Sequence, residues 1–419
     1  MKKNVLIVSP FPVYPLTSGG HQAIFNGMAC LKGVANVFLV YTTTESRVKK
    51  GECVALEKKL PFVKCVPFIE PSSRHNIVWA WRCVISKMKQ CCVVSKFMTG
   101  SSEGKTAVVE REKVPSFEIG MISEGFQKHV LSVIGKYHID IVQMEMMETI
   151  RMVDVLPEDV KKVFVHHELR WVRNELLMAQ VEAAEDMRKR VEDIKKIEIE
   201  YLNRYDQIIV LSEIDRKKLQ KEGVKTKILT SFAVVGGENQ ETAIAEGDGK
   251  RLIYIGPSFH YPNYDGVLWF LENCWSKLQA VSSDYNLQII GNWEEGKKDT
   301  IVKMYKNVHF LGFVDDLNEV VRGSIEIVPL RIGSGIRMKI LEAARLGVPV
   351  VSTTIGAEGL PLIDGENVVL ADTPKEFVDG IFRLQDPKQR EHLVFNMQQS
   401  VLPKFSLDAL RENRKSLYE

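Results

Sequence analysis

The stretch from Val328 to Leu360 constrains the fold of this 419-residue chain more than any other. A short apolar run ends at Pro329-Leu330, and a glycine-flanked loop follows at 333–335. A helical pattern then runs from Ile336 to Leu346 and is followed by a second apolar run, Val348 to Val351. Apolar run, glycine loop, helix and apolar run in this order indicate a βα unit of a parallel sheet.

The loop Gly333-Ser334-Gly335 predicts an anion-binding site. Its glycines allow the backbone to approach a ligand closely, Ser334 is expected to be the N-cap of the helix, and N–H groups at a helix start attract anions. Lys339 and Glu342 share one edge of that helix, and Arg337 lies near the other. Such a site suits a ligand with phosphate and hydroxyl groups, for example a nucleotide sugar. The same pattern also fits a turn that binds nothing, with a Lys–Glu pair on the surface.

The segments G-S-G-I-R-M-K-I-L-E-A and G-V-P-V-V-S-T-T-I-G-A-E-G-L resemble the donor-binding signature of retaining GT-B glycosyltransferases of family 4. That family usually carries two glutamates separated by seven residues. Glu342 matches the second, which in the family holds the nucleotide ribose, and Ser334 occupies the place of the first. The resemblance implies an α/β fold of two Rossmann-like domains facing across a cleft. It also implies that Ser334, Gly335, Arg337, Lys339 and Glu342 bind the donor, with Glu342 counted among the catalytic residues.

A polar, glycine-rich stretch between Val235 and about residue 250 contains no apolar run and predicts a linker. It divides the chain into an acceptor-binding domain at 1–240 and a donor-binding domain at 250–403. Helical patterns separate most of the strands predicted in the second domain, at 252–256, 287–291, 308–314, 325–330, 348–353 and 368–371. In the resembling family a tail helix, here 404–419, packs back on the first domain.

The first predicted strand, Asn4 to Ser9, leads through a long loop to Gly19-Gly20 and a helix expected from about Gln22 to Lys32. In the resembling glycosyltransferases, the two glycines at this place approach the donor phosphates and sugar across the cleft. The resemblance therefore assigns Gly19 and Gly20 to donor binding and His21 to the acceptor side.

The loop after the strand at 252–256 carries Ser258 and Asn263 where the family often has an arginine and a lysine. Ser258 is expected at the donor site, and we expect Arg337 and Lys339 to supply the missing positive charge. Val314 is expected to help frame the nucleotide base.

His166, His167 and Glu168 follow a predicted strand, and ligands gather at the carboxyl ends of strands in such sheets. The resembling family often has His-Asp or His-Glu here, with an arginine a few residues on. We therefore predict that His167 is catalytic and that His166, Arg170 and Arg173 lie on the acceptor side.

The segment from Ser72 to Gly100 has no acidic residue and contains several basic ones, together with Trp79 and Trp81. Basic and aromatic residues mixed in this way are typical of a helix at a membrane surface. The alternative is a helix that docks its apolar side on the domain and exposes its basic residues to water. Both interpretations stay open.

Charge and cysteine content exclude several classes of protein. A net charge of +2 gives no general attraction to nucleic acid, and the seven cysteines show neither a disulfide framework nor zinc spacing. No window approaches the ~20 apolar residues of a membrane span. No Asp-x-Asp motif occurs, so we predict no metal and no cofactor besides the donor substrate. The expected location is the cytoplasm, or the inner membrane surface if the basic segment binds lipid.

The leading hypothesis is a glycosyltransferase that moves a sugar from a nucleotide-diphosphate sugar to a glycan or lipid-linked acceptor, with retention, in polysaccharide or glycoconjugate biosynthesis. Ser334 in the place of a glutamate supports one alternative, a catalytically weak sugar-binding or scaffold relative. A second alternative is an NAD-dependent oxidoreductase, against which the absence of G-x-G-x-x-G after any predicted strand argues.

Overall fold

The computed structural model describes residues 2–70, 122–180, 185–232, 234 and 247–418. The basic segment Ser72 to Gly100 and most of the predicted linker lie outside the described residues. Among the residues described, no helix is both long enough and apolar enough to span a bilayer.

The first domain is built on a parallel sheet whose central strands are buried on both faces. Its strand order is β3-β2-β1-β5-β6-β7-β8, and β4 pairs with β2 beside this path. Residues 5–8 of the central strand are fully buried, as expected for a parallel strand with helices on both sides. The strands are β1 Asn4–Ser9, β2 Asn36–Thr43, β3 Val63–Cys65, β4 Phe68–Ile69, β5 Ile141–Glu145, β6 Lys161–His166, β7 Gln207–Val210 and β8 Lys227–Thr230.

Two sequence patterns in this domain predict single elements that the structure divides. The apolar run from Cys65 to Ile69 predicts one strand, but two short strands are present, because Pro67 between them has no N–H to donate. The highly charged stretch from Leu176 to Tyr205 predicts one helix, but two helices cover it, and the second has its own buried stripe at helical spacing. The helices are α1 Gly19–Ala29, α2 Glu45–Lys49, α3 Glu52–Lys59, α4 Glu124–Tyr137, a 3-10 helix Met147–Asp154, α5 Arg170–Met178, α6 Glu185–Leu202 and α7 Glu213–Lys221.

The second domain has a six-stranded parallel sheet in the order β11-β10-β9-β12-β13-β14. Its strands are β9 Arg251–Ile255, β10 Asn286–Ile290, β11 Val308–Gly312, β12 Ile325–Val328, β13 Val350–Ser352 and β14 Val369–Leu370. Its helices are α8 Tyr261–Phe270, a π-helical turn Leu271–Trp275, α9 Ser276–Val281, α10 Glu295–Met304, α11 Asn318–Val321, α12 Met338–Arg345, α13 Thr354–Ala357, α14 Pro374–Arg383 and α15 Pro387–Asn396. Two Rossmann-like sheets therefore confirm the predicted α/β class.

The tail runs from the second domain back to the first. A π-helical turn, Met397–Val401, and a 3-10 turn, Leu402–Phe405, lead into the last helix, α16 Leu407–Tyr418. The Nε atom of Arg414 donates to the Ser231 hydroxyl at 2.6 Å, and Leu410 and Tyr418 are buried in the core of the first domain. The tail thus joins the two domains a second time.

The carboxyl ends of the two sheets meet. The hydroxyl of Ser334, in the loop after β12, donates to the Leu169 carbonyl after β6 at 3.2 Å. Farther out, Lys218 and Glu358 form an ion pair at 2.7 Å across the same boundary. A cleft between domains, at the ends where ligands collect in parallel sheets, follows from this arrangement.

Gly335→Ala tests how closely the domains approach. Gly335 has a φ of 77°, and a Cβ there would clash with the carbonyl oxygen of His167. Gly312 has a φ of 72° with nothing within 4 Å of its would-be Cβ, so Gly312→Ala measures backbone strain alone, about 1 kcal/mol. We expect Gly335→Ala to lower the free energy of unfolding by clearly more than the control. If chemical denaturation gave the same loss of free energy of unfolding for Gly335→Ala and Gly312→Ala, the close approach of Gly335 to His167 would be contradicted.

Candidate active site

The loop after β12 differs from the prediction at the start of the helix. The expected N-cap role of Ser334 is wrong, because α12 begins at Met338 with Arg337 as its N-cap and no side-chain cap. The positive φ of Gly335 turns the chain and extends the loop before helical geometry begins. Ser334 is 5% exposed, and its hydroxyl bonds the first domain instead.

Arg337 holds this loop in shape. One guanidinium nitrogen donates to the carbonyls of Ser334 and Gly335, and another donates to Ile355 at 3.3 Å. The side chain is buried, and burial lowers the pKa of its guanidinium against the opposing effect of Glu168. Three carbonyl contacts make Arg337 an internal brace of the site, and its predicted contact with the donor stays a prediction.

Lys339 lies in the first turn of α12 and is half-buried. Its ammonium is 3.0 Å from the Tyr254 hydroxyl, 3.3 Å from Asn263 Oδ1 and 4.0 Å from the centroid of the Tyr254 ring. Burial lowers the pKa of Lys339 to about 7, although Glu326 raises it and Arg337 lowers it further. Near neutral pH, a small change in surroundings therefore decides whether this lysine is charged.

Glu326 lies in the candidate site, although the sequence prediction did not include it. It lies in β12 with no exposed surface, and neither carboxyl oxygen has a hydrogen-bond partner among the described residues. Burial raises the pKa of Glu326 to about 8; Lys339 lowers it and Glu342 raises it. A glutamate inside the apolar strand at 325–330 was the available signal, because a buried carboxyl is costly without a nearby positive charge.

Glu342 lies on the second turn of α12 and accepts a hydrogen bond from Arg345 at 2.6 Å. Its side chain is 15% exposed. The other carboxyl oxygen of Glu342, Oε2, takes no part in this ion pair. The contact of Glu342 with ribose hydroxyls stays a prediction.

The loop after β9 is tightly anchored. Ser258 is 2% exposed, its N–H donates to Asn292, and its hydroxyl accepts from the N–H of Glu294 at 3.0 Å. Asn263 donates to Pro257 at 2.9 Å and accepts from Tyr254 at 2.7 Å. Val314, on the loop after β11, is partly buried against the core of the second domain.

Gly19 and Gly20 are the first two residues of α1. The helix begins at Gly19 and not near Gln22 as predicted, because Ser18 is its N-cap. The Ser18 hydroxyl accepts from the N–H of His21 at 3.3 Å. A Cβ on Gly19 would lie 3.2 Å from Met338 Cγ, across the domain boundary, and one on Gly20 would lie 2.8 Å from Met146 Cε. A Cβ at either position would therefore require a methionine side chain to shift.

His21 lies on the first turn of α1. Its Nδ1 atom is 3.0 Å from the Thr17 hydroxyl, and its ring meets Phe11 edge to face. Burial lowers the pKa of His21, and the nearby charge of Arg47 lowers it further.

The two neighbouring histidines at the end of β6 have separate surroundings. His167, the first residue after the strand, has its Nε2 atom 2.6 Å from Glu145 Oε2, and its side chain is 10% exposed. His166, the last residue of the strand, has its Nε2 atom 2.6 Å from Glu198 Oε1 on α6, and both side chains are buried. The two rings therefore pair with glutamates of different elements, β5 and α6. His166 offers no surface to an acceptor, whereas His167 retains some.

A charged cluster spans the cleft around Glu168. Arg173 pairs with Glu168 at 3.0 Å, and Arg170 pairs with Glu148 at 2.8 Å. Burial raises the pKa of Glu168, but the positive charges of Arg173, His260 and Arg337 outweigh it, so the net pKa is lowered. Burial also lowers the pKa of His260 to about 4, opposed by Glu168. No group of three metal-binding side chains is present in the part of the chain that the structure describes.

Comparisons with known proteins agree with this geometry. Residues 249–386 match the family model "Glycosyl transferases group 1". An uncharacterized 44.6 kDa protein in the cps region of Klebsiella pneumoniae is 29% identical over 139 residues, which are 31% of this chain and 36% of that protein. An uncharacterized glycosyltransferase of Methanocaldococcus jannaschii is 24% identical over 222 residues, 51% of this chain and 59% of that protein. Both matches span less than two thirds of the relative.

A crystal structure of an S. aureus TarM mutant in complex with fondaparinux, alpha-GlcNAc-glycerol and UDP has the same fold. The superposition has a TM-score of 0.68 at 11% identity and covers 100% of both chains. The fold is therefore GT-B. The family match lies in the second domain and confirms the resemblance of the glycine loop and the residues after it to the glycosyl transferases group 1.

Glu326→Gln tests the buried carboxyl through the pH dependence of stability. Because the pKa of Glu326 is raised to about 8, its carboxyl group keeps a proton in the folded protein that it loses at lower pH in the unfolded chain. This stabilisation is complete below the unfolded pKa and is lost as pH rises through about 8. We therefore expect the free energy of unfolding of Glu326→Gln to rise increasingly above that of the wild type between about pH 5 and pH 8.5, by several kcal/mol in total, because a difference of one pKa unit corresponds to about 1.4 kcal/mol.

The matched control is Glu319→Gln, which changes a glutamate whose side chain is 84% exposed. It should show no such trend. A constant difference between Glu326→Gln and wild type across that pH range would mean that Glu326 is ionised throughout.

Proposed function

We propose that this protein is a glycosyltransferase that moves a sugar from a nucleotide-diphosphate sugar to a glycan or lipid-linked acceptor. The observation that carries the proposal is the edge of α12 in the group 1 domain. It carries the half-buried ammonium of Lys339 and the carboxylate of Glu342 three residues apart, next to the glycine loop. A cation suits the diphosphate, and a carboxylate can accept from both ribose hydroxyls.

The reaction breaks the bond between the anomeric carbon and the diphosphate oxygen. The acceptor hydroxyl oxygen forms the new bond to that carbon, on the same face because we propose retention, and its proton is released. The leaving diphosphate takes the electron pair, so its negative charge grows in the transition state. Fixed positive charge in a poorly solvated site stabilises such a change, and Lys339 would supply that charge. His167 would be the catalytic residue that the first domain contributes.

UDP is the first nucleotide to test, because the TarM structure contains it. The cps location of the Klebsiella pneumoniae relative supports a role in polysaccharide synthesis. The basic segment Ser72 to Gly100 remains our candidate for the acceptor side and for salt-sensitive contact with anionic lipid.

A catalytically weak sugar-binding relative is the second candidate. It is favoured by Ser334, whose hydroxyl is used to bond Leu169 where the family usually has a carboxylate. Thermal shift with UDP-, GDP-, ADP- and dTDP-sugars, followed by a transfer assay, separates the two. Binding without hydrolysis or transfer would favour the second candidate. The assay is run with and without EDTA, and we expect full activity in EDTA.

Lys339→Ala should weaken UDP binding by a factor of tens, roughly the ~1.5–3 kcal/mol of a charge-assisted hydrogen bond. Lys339→Arg keeps the charge at every accessible pH. Since the pKa of Lys339 lies at about 7, its charge is lost as pH rises. Wild-type affinity should therefore fall relative to Lys339→Arg between about pH 6 and pH 8.5. Calorimetry measures both, and an unchanged affinity in Lys339→Ala would remove the lysine from the donor site.

Glu342→Gln should lose most transfer activity while its melting temperature stays close to that of the wild type. The amide keeps the shape but accepts hydroxyl hydrogen bonds less strongly than a carboxylate. Arg345→Gln provides the comparison, because it breaks the same ion pair from the other side. An equal loss of activity in both variants would show that Glu342 acts only through Arg345.

A further inference from the structure

A chain of three hydrogen bonds connects the end of the tail helix to His167. The Tyr418 hydroxyl donates to Gln143 Oε1. Gln143 Nε2 donates to Glu145 Oε1 at 2.5 Å, and Glu145 Oε2 is 2.6 Å from His167 Nε2. The chain begins on α16 and crosses the C-terminal half of β5 to the loop after β6. The proposed function does not account for Tyr418, Gln143 or Glu145.

Three of the four residues are closed to solvent. Gln143 is fully buried, and Glu145 and Tyr418 are each 1% exposed, while the side chain of His167 keeps 10%. Of the four hydrogen-bonded residues, only His167 therefore keeps appreciable solvent exposure. Linked hydrogen bonds in such dry surroundings strengthen one another and hold their members in one orientation.

Donor and acceptor chemistry gives the chain a direction. A phenol must donate to the carbonyl oxygen of Gln143, which fixes that amide with its NH₂ group toward Glu145. The Glu145 carboxylate accepts from Gln143 on one oxygen, and its other oxygen accepts an N–H from His167 Nε2. Nε2 of His167 then carries the proton, so in the neutral ring Nδ1 is the nitrogen with the free electron pair.

The tail is fastened beside Tyr418 by contacts of its own. Arg414 bonds the Ser231 hydroxyl at 2.6 Å, and Lys161 Nζ donates to the Leu417 carbonyl at 2.7 Å. The tail reaches this place from the second domain, through the turn Leu402–Phe405. The position of the Tyr418 hydroxyl therefore depends on docking of the tail.

We propose that Tyr418 is a positioning residue that sets the orientation and tautomer of His167 through Gln143 and Glu145. Removal of the hydroxyl leaves the Gln143 carbonyl buried without this donor, so its amide is free to turn and Glu145 loses a fixed partner. The catalytic consequence rests on the proposed function, whereas the positioning of the ring does not.

The first experiment reads the ring directly. Tyr418→Phe is compared with Tyr205→Phe, which removes another buried hydroxyl of the first domain, one that donates to Ile150 at 2.7 Å. The ¹⁵N resonances of His167, assigned by their loss in His167→Ala, should shift in Tyr418→Phe and not in Tyr205→Phe. Unchanged His167 resonances in folded Tyr418→Phe would overturn the proposal.

The second experiment tests the consequence for turnover. We expect Tyr418→Phe to lower kcat about tenfold, as loss of an outer partner of a functional histidine does, with the KM for the donor unchanged. In a His167→Ala background the same substitution should have no further effect, because its partner is gone. Equal loss in both backgrounds would show that Tyr418 only supports the fold. Shifted resonances in a protein without transferase activity would leave the positioning intact and count against the proposed function alone.

Discussion

The close contact between the glycine loop after β12 and the loop after β6 is the constraint on which the site depends. A Cβ atom on Gly335 would clash with the carbonyl oxygen of His167, and the Ser334 hydroxyl donates to the carbonyl oxygen of Leu169. This contact brings the carboxyl ends of both sheets together, and with them the residues that we assign to donor and acceptor. Arg337 braces the loop from within, at three carbonyls. A loop held so firmly keeps its backbone in one geometry for a ligand.

Around this contact, the site gathers titratable groups that are poorly solvated. Glu326 is buried without a hydrogen-bond partner among the described residues, and Lys339 lies half-buried near it. Glu168 is surrounded by Arg173, Arg337 and His260. Buried charges contribute little to stability, because desolvation offsets their attraction. Their concentration at one place is more consistent with function than with stability, since perturbed pKa values collect at functional sites.

The two histidines after β6 show why a sequence pattern alone could not assign roles. Both occur at a strand end, and both pair with a glutamate at 2.6 Å. His166, the last residue of β6, is buried against Glu198 of α6, whereas His167 pairs with Glu145 of β5 and stays partly exposed. Ser334 shows the same limit, since serine before a helical pattern predicts an N-cap, and the loop instead continues to Arg337. Instead of capping the helix, Ser334 forms a hydrogen bond with Leu169 of the other domain.

The sequence by itself determined the α/β class, the first strand and the strands of the second domain to within a few residues, and the glycine loop with Lys339 and Glu342 beside it. These follow from apolar runs, helical periodicity and turn residues, which are local properties. Only the tertiary structure decided which groups meet. Glu326 lies near enough to Lys339 to raise the pKa of that lysine, Glu145 bonds His167, and Tyr418 bonds Gln143 from 275 residues away. Such pairings depend on strand order and on the return of the tail, and no spacing along the chain encodes them because contacts between distant segments are set by packing.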